Sequence, residues 1–413
     1  MKNLKPILKE IKKEILLEKE KQKEINEKLS LFIKILKKHK IDFFVGGSIA
    51  KDTIIKKEKY DIDIFLRFKN EREIKNKFNK IIKNIKKKTK FKCQKIHGSR
   101  DYYNFYYDDI IFEIVPTIKL SSPKNAKNTT DLSYFHVSYV KNKIKKNKKL
   151  AEEIKLAKKF VFASGYYGAE SHIKGFSGYA IELLIIYYKT FKNFIKNIAS
   201  SDKKIIIDIE KFYSNKKEIL NEINESKIQS PIILIDPTFK ERNVTSALSK
   251  ETFKKFQKYC KNFLDNPSKD FFSYEKMIKK RINNLEKKKA IKILIKTSFQ
   301  EGSIAGSKLL KFYQFLNNCL KKYYKIKDKD FFYDNKKSAV CYFVLKKKDK
   351  LLIKGPPINK TMNVIAFKKK HKKTFIRKGV IYAEEKIDMD LKKIINSKKK
   401  FMKEIGIKSI KIL

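Results

Sequence analysis

Two aspartates two residues apart in an apolar stretch constrain this chain more than any other feature. The run Asp61-Ile62-Asp63-Ile64-Phe65-Leu66 sets acids among side chains of buried type, and twelve residues separate it from the turn Val45-Gly46-Gly47-Ser48. On a strand, positions i and i+2 face the same way with Cα atoms about 7 Å apart. Carboxylates at that spacing can both reach divalent cations held beside a phosphate. A Gly-Gly-Ser turn ahead of them can offer backbone N–H groups and a hydroxyl to phosphate oxygens. Glycine-serine turn, polar stretch, then acid-bearing strand is the order expected for metal-assisted nucleotidyl transfer. A solvated strand with alternating acids is the plainer reading, but it gives no reason for Ile62, Ile64, Phe65 and Leu66.

Such chemistry calls for a third acid to align or deprotonate the attacking hydroxyl and to share a metal. Asp108, Asp109 and Glu113 are available on the next acidic strand, and Glu113 is the best candidate because it sits inside Ile110-Ile111-Phe112-Glu113-Ile114-Val115. An acid in such a run is costly unless charged partners satisfy it.

Around these motifs the periodicity predicts a helix from about Ile7 to His39, broken once, and a strand Ile41 to Val45. A helix capped by Ser48 should run to about Ile55, followed by a strand Tyr60 to Phe68 and a helix Glu71 to Lys88. Strands are expected at Phe91 to Ile96, Tyr102 to Tyr107 and Asp109 to Val115, with Pro116 ending the last. The following region reads as mostly helical to about Tyr259, including 150–164 and 176–194, with loops around Asp236-Pro237 and a helix restarting at Ser249. Beyond Pro267 come a strand 289–295, a helix 307–324, a strand 339–345, a turn at Gly355-Pro356-Pro357, a helix 363–370 and a strand 375–383. The fold class is therefore α+β and multidomain. A catalytic head of mixed sheet and helices spans 1–145, a helical central domain 146–265, and an α/β C-terminal body and tail 266–413.

The 413 residues carry a formal charge of +56, and 42% of them are hydrophobic, with 31 Phe and 21 Tyr. That apolar content supplies real cores, so this is no disordered basic tail. The charge implies a polyanionic partner, most simply nucleic acid, since each phosphate contact releases counterions. Lysine far outnumbers arginine, as an AT-rich genome would also produce, which favours backbone contact over base reading. Cys93, Cys260, Cys319 and Cys341 are too dispersed for a zinc knuckle or a CxxC pair. No run is long and apolar enough for a membrane span and no leader pattern is seen, so a cytoplasmic protein without a membrane partner is expected.

The residues also resemble a family. Gly47-Ser48 with Asp61-Ile62-Asp63, Glu113-Ile114-Val115-Pro116, Ser121-Ser122-Pro123-Lys124-Asn125 and Ser133-Tyr134-Phe135-His136 are four of its marks. Others are Tyr167-Gly168-Ala169-Glu170, Gly175-Phe176-Ser177-Gly178-Tyr179 with Glu182-Leu183-Leu184, and Asp236-Pro237 with Arg242-Asn243-Val244. Together they resemble the archaeal-type (class I) CCA-adding tRNA nucleotidyltransferases of the polymerase β superfamily, over essentially the full length. The resemblance implies a polymerase-β-like head and an enzyme that adds C, C and A to the tRNA 3′ end from CTP and ATP without a nucleic-acid template.

It also implies site residues. Asp61, Asp63 and Glu113 match the catalytic carboxylates that hold two Mg2+ ions. Gly47, Ser48, Ser133, His136, Lys158 and Tyr167 match residues around the nucleotide, and Arg242 matches the one that reads its base. The third acid is usually Asp in the family. Glutamate here adds a methylene and shifts the carboxylate by about 1.5 Å, which leaves Asp108 and Asp109 open as substitutes. The partner implied is tRNA, bound by its acceptor stem and top half through the C-terminal part, and a homodimer is common in the family. Two other readings stay open: a template-independent poly(A) or other terminal RNA nucleotidyltransferase, and a non-enzymatic RNA-binding protein on the same fold.

Overall fold

A computed structural model of the protein describes residues 4–413 apart from residue 388, and it divides into two compact units. The first comprises residues 1–169 and 173–277, the second residues 170–172 and 278–413.

The first unit begins with helices α1 (Leu4–Ile15) and α2 (Lys19–Lys37), then strand β1 (Asp42–Val45), the single turn α3 (Gly47–Ala50) and strand β2 (Tyr60–Phe68). Helix α4 (Glu71–Thr89) leads to β3 (Lys92–Ile96), β4 (Tyr102–Tyr107) and β5 (Ile110–Ile118). The five strands form one mixed sheet in the order β1-β2-β5-β4-β3, in which only β2 and β5 run parallel. Strict alternation in β2 sends Tyr60, Ile62, Ile64, Leu66 and Phe68 into a core shared with Ile25, Phe32 and Leu36 of α2 and Ile74, Phe78 and Ile82 of α4. The opposite face of β2 is left for its acids.

Two expectations fail at this sheet. The helix after Gly47 ends at Ala50, not Ile55, because Asp52 turns left-handed (φ 53°) and Thr53 N–H closes onto Ser48 O. Its cap is Gly46, with Ser48 already inside the turn. Pro116 does not end β5, which continues to Ile118. The pairing with β4 stops at Ile114, so the proline sits where that side of the strand is open and no ladder donor is missed.

The rest of the unit is a helical layer: α5 (Ser133–Lys146), α6 (Lys149–Ser164), α7 (Gly178–Tyr188), α8 (Phe191–Ala199), the short α9 (Lys216–Glu222) and α10 (Glu225–Ile228), and α11 (Lys250–Asp265). Its core is aromatic: Phe160 meets the rings of Phe191, Phe256, Tyr259, Phe263 and Phe272. Leu4, Ile11 and Ile15 of α1 belong to this core and not to that of the sheet. The helix expected over 176–194 is two helices, broken where Lys189 goes left-handed (φ 68°) and Thr190 caps the next. The helical reading also passes over a small sheet of β6 (Ile205–Ile207), β7 (Ile232–Asp236) and β8 (Phe239–Asn243). Every residue of β7 is buried, and a continuous apolar run carries no period by which to recognise a strand.

Helix α12 (Tyr274–Lys287) is followed in the second unit by β9 (Ile291–Thr297), α13 (Ser303–Tyr323), β10 (Tyr324–Tyr333) and β11 (Ser338–Lys347). Then come β12 (Lys350–Pro357), α14 (Thr361–Lys370), β13 (Thr374–Arg377), β14 (Val380–Lys386), α15 (Leu391–Asn396), α16 (Lys399–Glu404) and β15 (Ile407–Ile412). One antiparallel sheet has the order β10-β11-β9-β15 and packs on α13; another has the order β12-β14-β13. Gly355-Pro356-Pro357 is not a turn but the end of edge strand β12, beyond a register shift. The single strand expected at 375–383 is a hairpin, turned by Lys378 (φ 50°) and Gly379 (φ 71°), as a two-residue turn with both φ positive requires. Among the described residues no helix is long and apolar enough to cross a membrane.

Because Phe160 is fully buried among five rings, Phe160→Ala should cost about 3–5 kcal/mol. Urea denaturation of the two proteins measures this, and a loss below about 1 kcal/mol would contradict the packing described.

Candidate active site

The register between β2 and β5 assembles the acids. Asp63 lies opposite Glu113 and Asp61 opposite Ile111, so the three carboxylates share the face of the sheet that points away from its core. Asn104 stands across from Glu113 on β4 and favours its charged form. Burial, followed by the charges of Asp63 and Asp61, pushes Glu113 up to about 8. Asp63 is also raised, first by burial and then by Asp61, against the counter-charges of Lys51, Lys57 and Lys158. Asp61 is more exposed and pairs with Lys57 at 2.6 Å.

Asp108 and Asp109 take no part in this group. Asp109 binds Lys21 at 2.6 Å and Asp108 binds Lys28 at 2.8 Å, both on α2. The structure therefore brings Glu113, and neither of these two acids, beside Asp63.

The Gly46-Gly47 turn lies directly against Asp63. Gly46 N–H donates to the Asp63 carbonyl at 2.8 Å. Gly47 is left-handed (φ +63°), and a Cβ there would collide with the Asp63 carboxylate. Gly47 is needed because backbone and acid approach too closely for a side chain, while a Cβ at Gly46 would collide with the Phe65 ring. Ser48 follows, half-buried, in the turn α3.

Behind the turn lies a buried ionic cluster. Glu182 of α7 is fully buried and binds Lys158 through Oε1 and Lys51 through Oε2, each at 2.7 Å. Lys158 also donates to Thr53 Oγ1 at 2.9 Å. Burial alone would raise Glu182, but the two ammonium groups hold it below the usual carboxylate range. Two cations against one anion leave a net positive charge, and Lys51 and Lys158 both act on Asp63.

A second buried acid, Asp236 at the end of β7, gathers His136, Arg242 and Tyr179. His136 Nε2 lies 2.9 Å and Arg242 Nη1 2.6 Å from its Oδ2, while Tyr179 OH donates to Oδ1 at 3.1 Å. The His136 ring stacks on Tyr179 with centroids 4.0 Å apart. His136 and Arg242 hold Asp236 well below the usual carboxylate range despite its burial. Of the remaining expected residues, Ser133 begins α5, and Tyr167 bridges to Phe176 with its hydroxyl against Gly178 at the start of α7.

Sequence reasoning missed Lys51 and the hub roles of Glu182 and Asp236. A signal existed. Glu182 interrupts the apolar run 179–188 and Asp236 closes the run 232–235, and an acid so placed needs a charged or donor-rich partner.

A divalent cation fits this chemistry. Among the described residues no three His, Cys, Asp or Glu side chains are already closed to the spacing of an ion's ligands. Yet Asp61, Asp63 and Glu113 crowd like charges that a cation would neutralise, as the raised values of Asp63 and Glu113 express.

Comparison with known proteins shows the family of the chain. Residues 152–273 match the family model "tRNA nucleotidyltransferase, second domain". The CCA-adding enzyme of Nanoarchaeum equitans is 36% identical over 370 residues, 88% of this chain and 89% of the relative. That of Methanocaldococcus jannaschii is 30% identical over 398 residues, covering 91% and 87%. Among solved structures, a cytoplasmic RNA terminal U-transferase superposes with TM-score 0.52 at 12% identity, over 66% of this chain and 99% of that one. The Cid1 poly(U) polymerase bound to MgATP gives TM-score 0.53 at 12% identity over the same shares. At that identity the likeness concerns the fold alone.

The crowded acids predict a pH dependence. In the unfolded chain Glu113 ionises in the ordinary range near 4.5, whereas the metal-free fold keeps it protonated to about 8. Stability of the metal-free protein should therefore fall as pH rises between these values. Glu113→Gln should flatten that fall, and millimolar Mg2+ should flatten it in the native sequence but much less in the variant. Urea titrations at pH 5 and pH 8, with and without Mg2+, measure both effects, and an equally steep fall in the variant would contradict the geometry.

Proposed function

The chain belongs to the CCA-adding tRNA nucleotidyltransferases, and we propose that Asp61, Asp63 and Glu113 carry its chemistry. The enzyme extends the tRNA 3′ end with C, C and A from CTP and ATP, with no nucleic-acid template. The observation that carries the assignment of the acids is the register of Asp63 against Glu113, beside a glycine turn that allows backbone to touch carboxylate.

Asp61, Asp63 and Glu113 would hold two Mg2+ ions, which when bound supply Lewis-acid stabilisation of the triphosphate and of the attacking oxygen. Glu113 aligns the tRNA 3′-hydroxyl for attack on the α-phosphate and can take its proton at an ε-oxygen. The Gly47-Ser48 turn offers donors to the phosphates. Lys158 and Tyr167 stabilise the departing pyrophosphate, with Lys51 adding to the positive charge at that end. Ser133 and His136 also reach the triphosphate, and Arg242 reads the base. A guanidinium offers a rigid fork of donors that a lysine would not hold in place.

The residues divide by role: 1–145 for catalysis, 146–265 for the nucleotide base and 266–413 for the acceptor stem and top half of tRNA. An A-form helix is read by its backbone and 2′-hydroxyls, so one such contact serves every tRNA. The lysine-rich surface supports this by its charge.

Purified protein, tRNA ending at the discriminator base, labelled CTP or ATP, and Mg2+ test the reading. The native sequence should give products one to three nucleotides longer. Asp63→Asn should lower addition of both nucleotides by about two orders of magnitude or more, with tRNA affinity nearly unchanged because binding is spread over many lysines. Retention of more than about a tenth of the rate would contradict the role of Asp63.

The affinity for tRNA should also fall with salt, with a slope of log K against log salt steeper than about −3, as several released phosphate contacts require. A slope near zero would show that the lysines face solvent without binding.

A further inference from the structure

The segment between α3 and β2 brings a cation of its own to the acids. Lys57 Nζ lies 2.6 Å from Asp61 Oδ2, with the lysine side chain 39% and the aspartate side chain 46% exposed. Its charge carries further than that pair. Burial raises Asp63 and Glu113, and the Lys57 charge works against the rise in both. One ammonium group bears on all three carboxylates.

The backbone around Lys57 is fastened on either side. Thr53 N–H closes onto Ser48 O at 2.9 Å, Lys56 N–H donates to Ile15 O at 3.0 Å, and Tyr60 N–H donates to Asp109 O at 2.8 Å. Thr53, Ile54 and Tyr60 are buried. The Lys57 side chain, by contrast, is a flexible four-carbon stem that reaches Asp61 through solvent. It can leave the carboxylate while strand and turn stay in place.

A divalent cation and this ammonium group ask for the same oxygen. Magnesium binds carboxylate oxygen at about 2.1 Å and demands near-octahedral geometry. With Lys57 still on Oδ2, the two cations would stand only about 4 Å apart, where like charges repel. An ion pair so exposed is weak, and the monovalent partner is the one that yields.

We infer that Lys57 is an internal competitor for the metal site: its ammonium group holds Asp61 in the metal-free enzyme and is displaced when a divalent cation binds. This rests on the reading of Asp61, Asp63 and Glu113 as the cation-binding group. The consequence is a site that takes free metal weakly and takes it best together with the triphosphate. Phosphate oxygens then complete the coordination of the metal and give the freed ammonium a new anion. Lysine suits the task because it is a point charge on a mobile stem. An arginine fork can hold a carboxylate by two bonds at once and yields less readily.

The test measures Mn2+ binding to the protein without nucleotide or tRNA, from the electron paramagnetic resonance signal of the free ion. Lys57→Met keeps the stem, removes the charge and should bind Mn2+ about three- to tenfold more tightly than the native protein. Lys57→Arg should bind no more tightly than native. Lys56→Met removes the neighbouring charge, which pairs with Glu18 and not with the acids, and should stay within about twofold of native. Asp63→Asn should abolish the site.

Equal affinity in the native protein and Lys57→Met, an equal gain in Lys56→Met, or tighter binding by Lys57→Arg overturns the inference while the metal site stands. Mn2+ binding that Asp63→Asn leaves unchanged overturns the reading of the acids and this inference together. Crystals soaked in Mn2+ give the geometry directly. Lys57 Nζ should lie beyond hydrogen-bond reach of both Asp61 oxygens, and an ammonium group still on Oδ2 beside the metal overturns displacement.

Discussion

Parallel pairing of β2 with β5 in a single register holds two like charges side by side, and the site is organised around that repulsion. Asp63 stands opposite Glu113 with Asp61 one alternation away, all on the face opposite the Ile62, Ile64 and Leu66 core. A slip of one residue in either strand would send its acids into that core and its isoleucines to the surface. Hydrophobic patterning thus fixes an arrangement that electrostatics alone would reject. The rest of the site answers the excess negative charge: Lys57 on Asp61, Asn104 on Glu113, and Lys51 and Lys158 acting on Asp63. What these leave uncompensated is negative charge that a bound cation would neutralise.

The lysines that serve this purpose are themselves held by a buried acid. Glu182 gives one oxygen to Lys51 and the other to Lys158, joining the chain just after the glycine turn to helices α6 and α7. Asp236 does the same for His136 and Arg242. Burying such pairs is a poor route to stability, since desolvation offsets most of the attraction. Its value is preorganisation. Each cation is held in one geometry, so under the proposed function no reorganisation would be required at the moment of reaction.

The sequence announced part of this and hid the rest for physical reasons. Strand β2 was legible to its ends because strict alternation between acids and apolar residues admits only one period. Helices α4, α6 and α11 were equally legible, each with one apolar face. Strand β7 was not, being buried throughout, and Asp236 therefore read as part of a loop. Strand β10, whose sequence YKIKDKDFFY is crowded with charge, offered too little apolar contrast. Among the site residues, the acids and the glycine turn could be read from local spacing. The partnerships of Glu182 and Asp236 could not, because they join residues 131 and 100 positions apart. No periodicity connects such distances. The family resemblance carried roles to Lys158, His136 and Arg242, and took in Glu182 and Asp236 only as motif residues without a role.

The account stands or falls on the three carboxylates acting as one cation-binding group. The most direct measurement is the anomalous signal of Mn2+ in crystals of the enzyme with tRNA and a non-hydrolysable CTP analogue. The account predicts two metal sites about 3.5–4 Å apart, bound by Asp61, Asp63 and Glu113, with Asp108 and Asp109 still on the lysines of α2. Metal bound at Asp108 or Asp109, or Glu113 turned away from both ions toward Asn104, would contradict it.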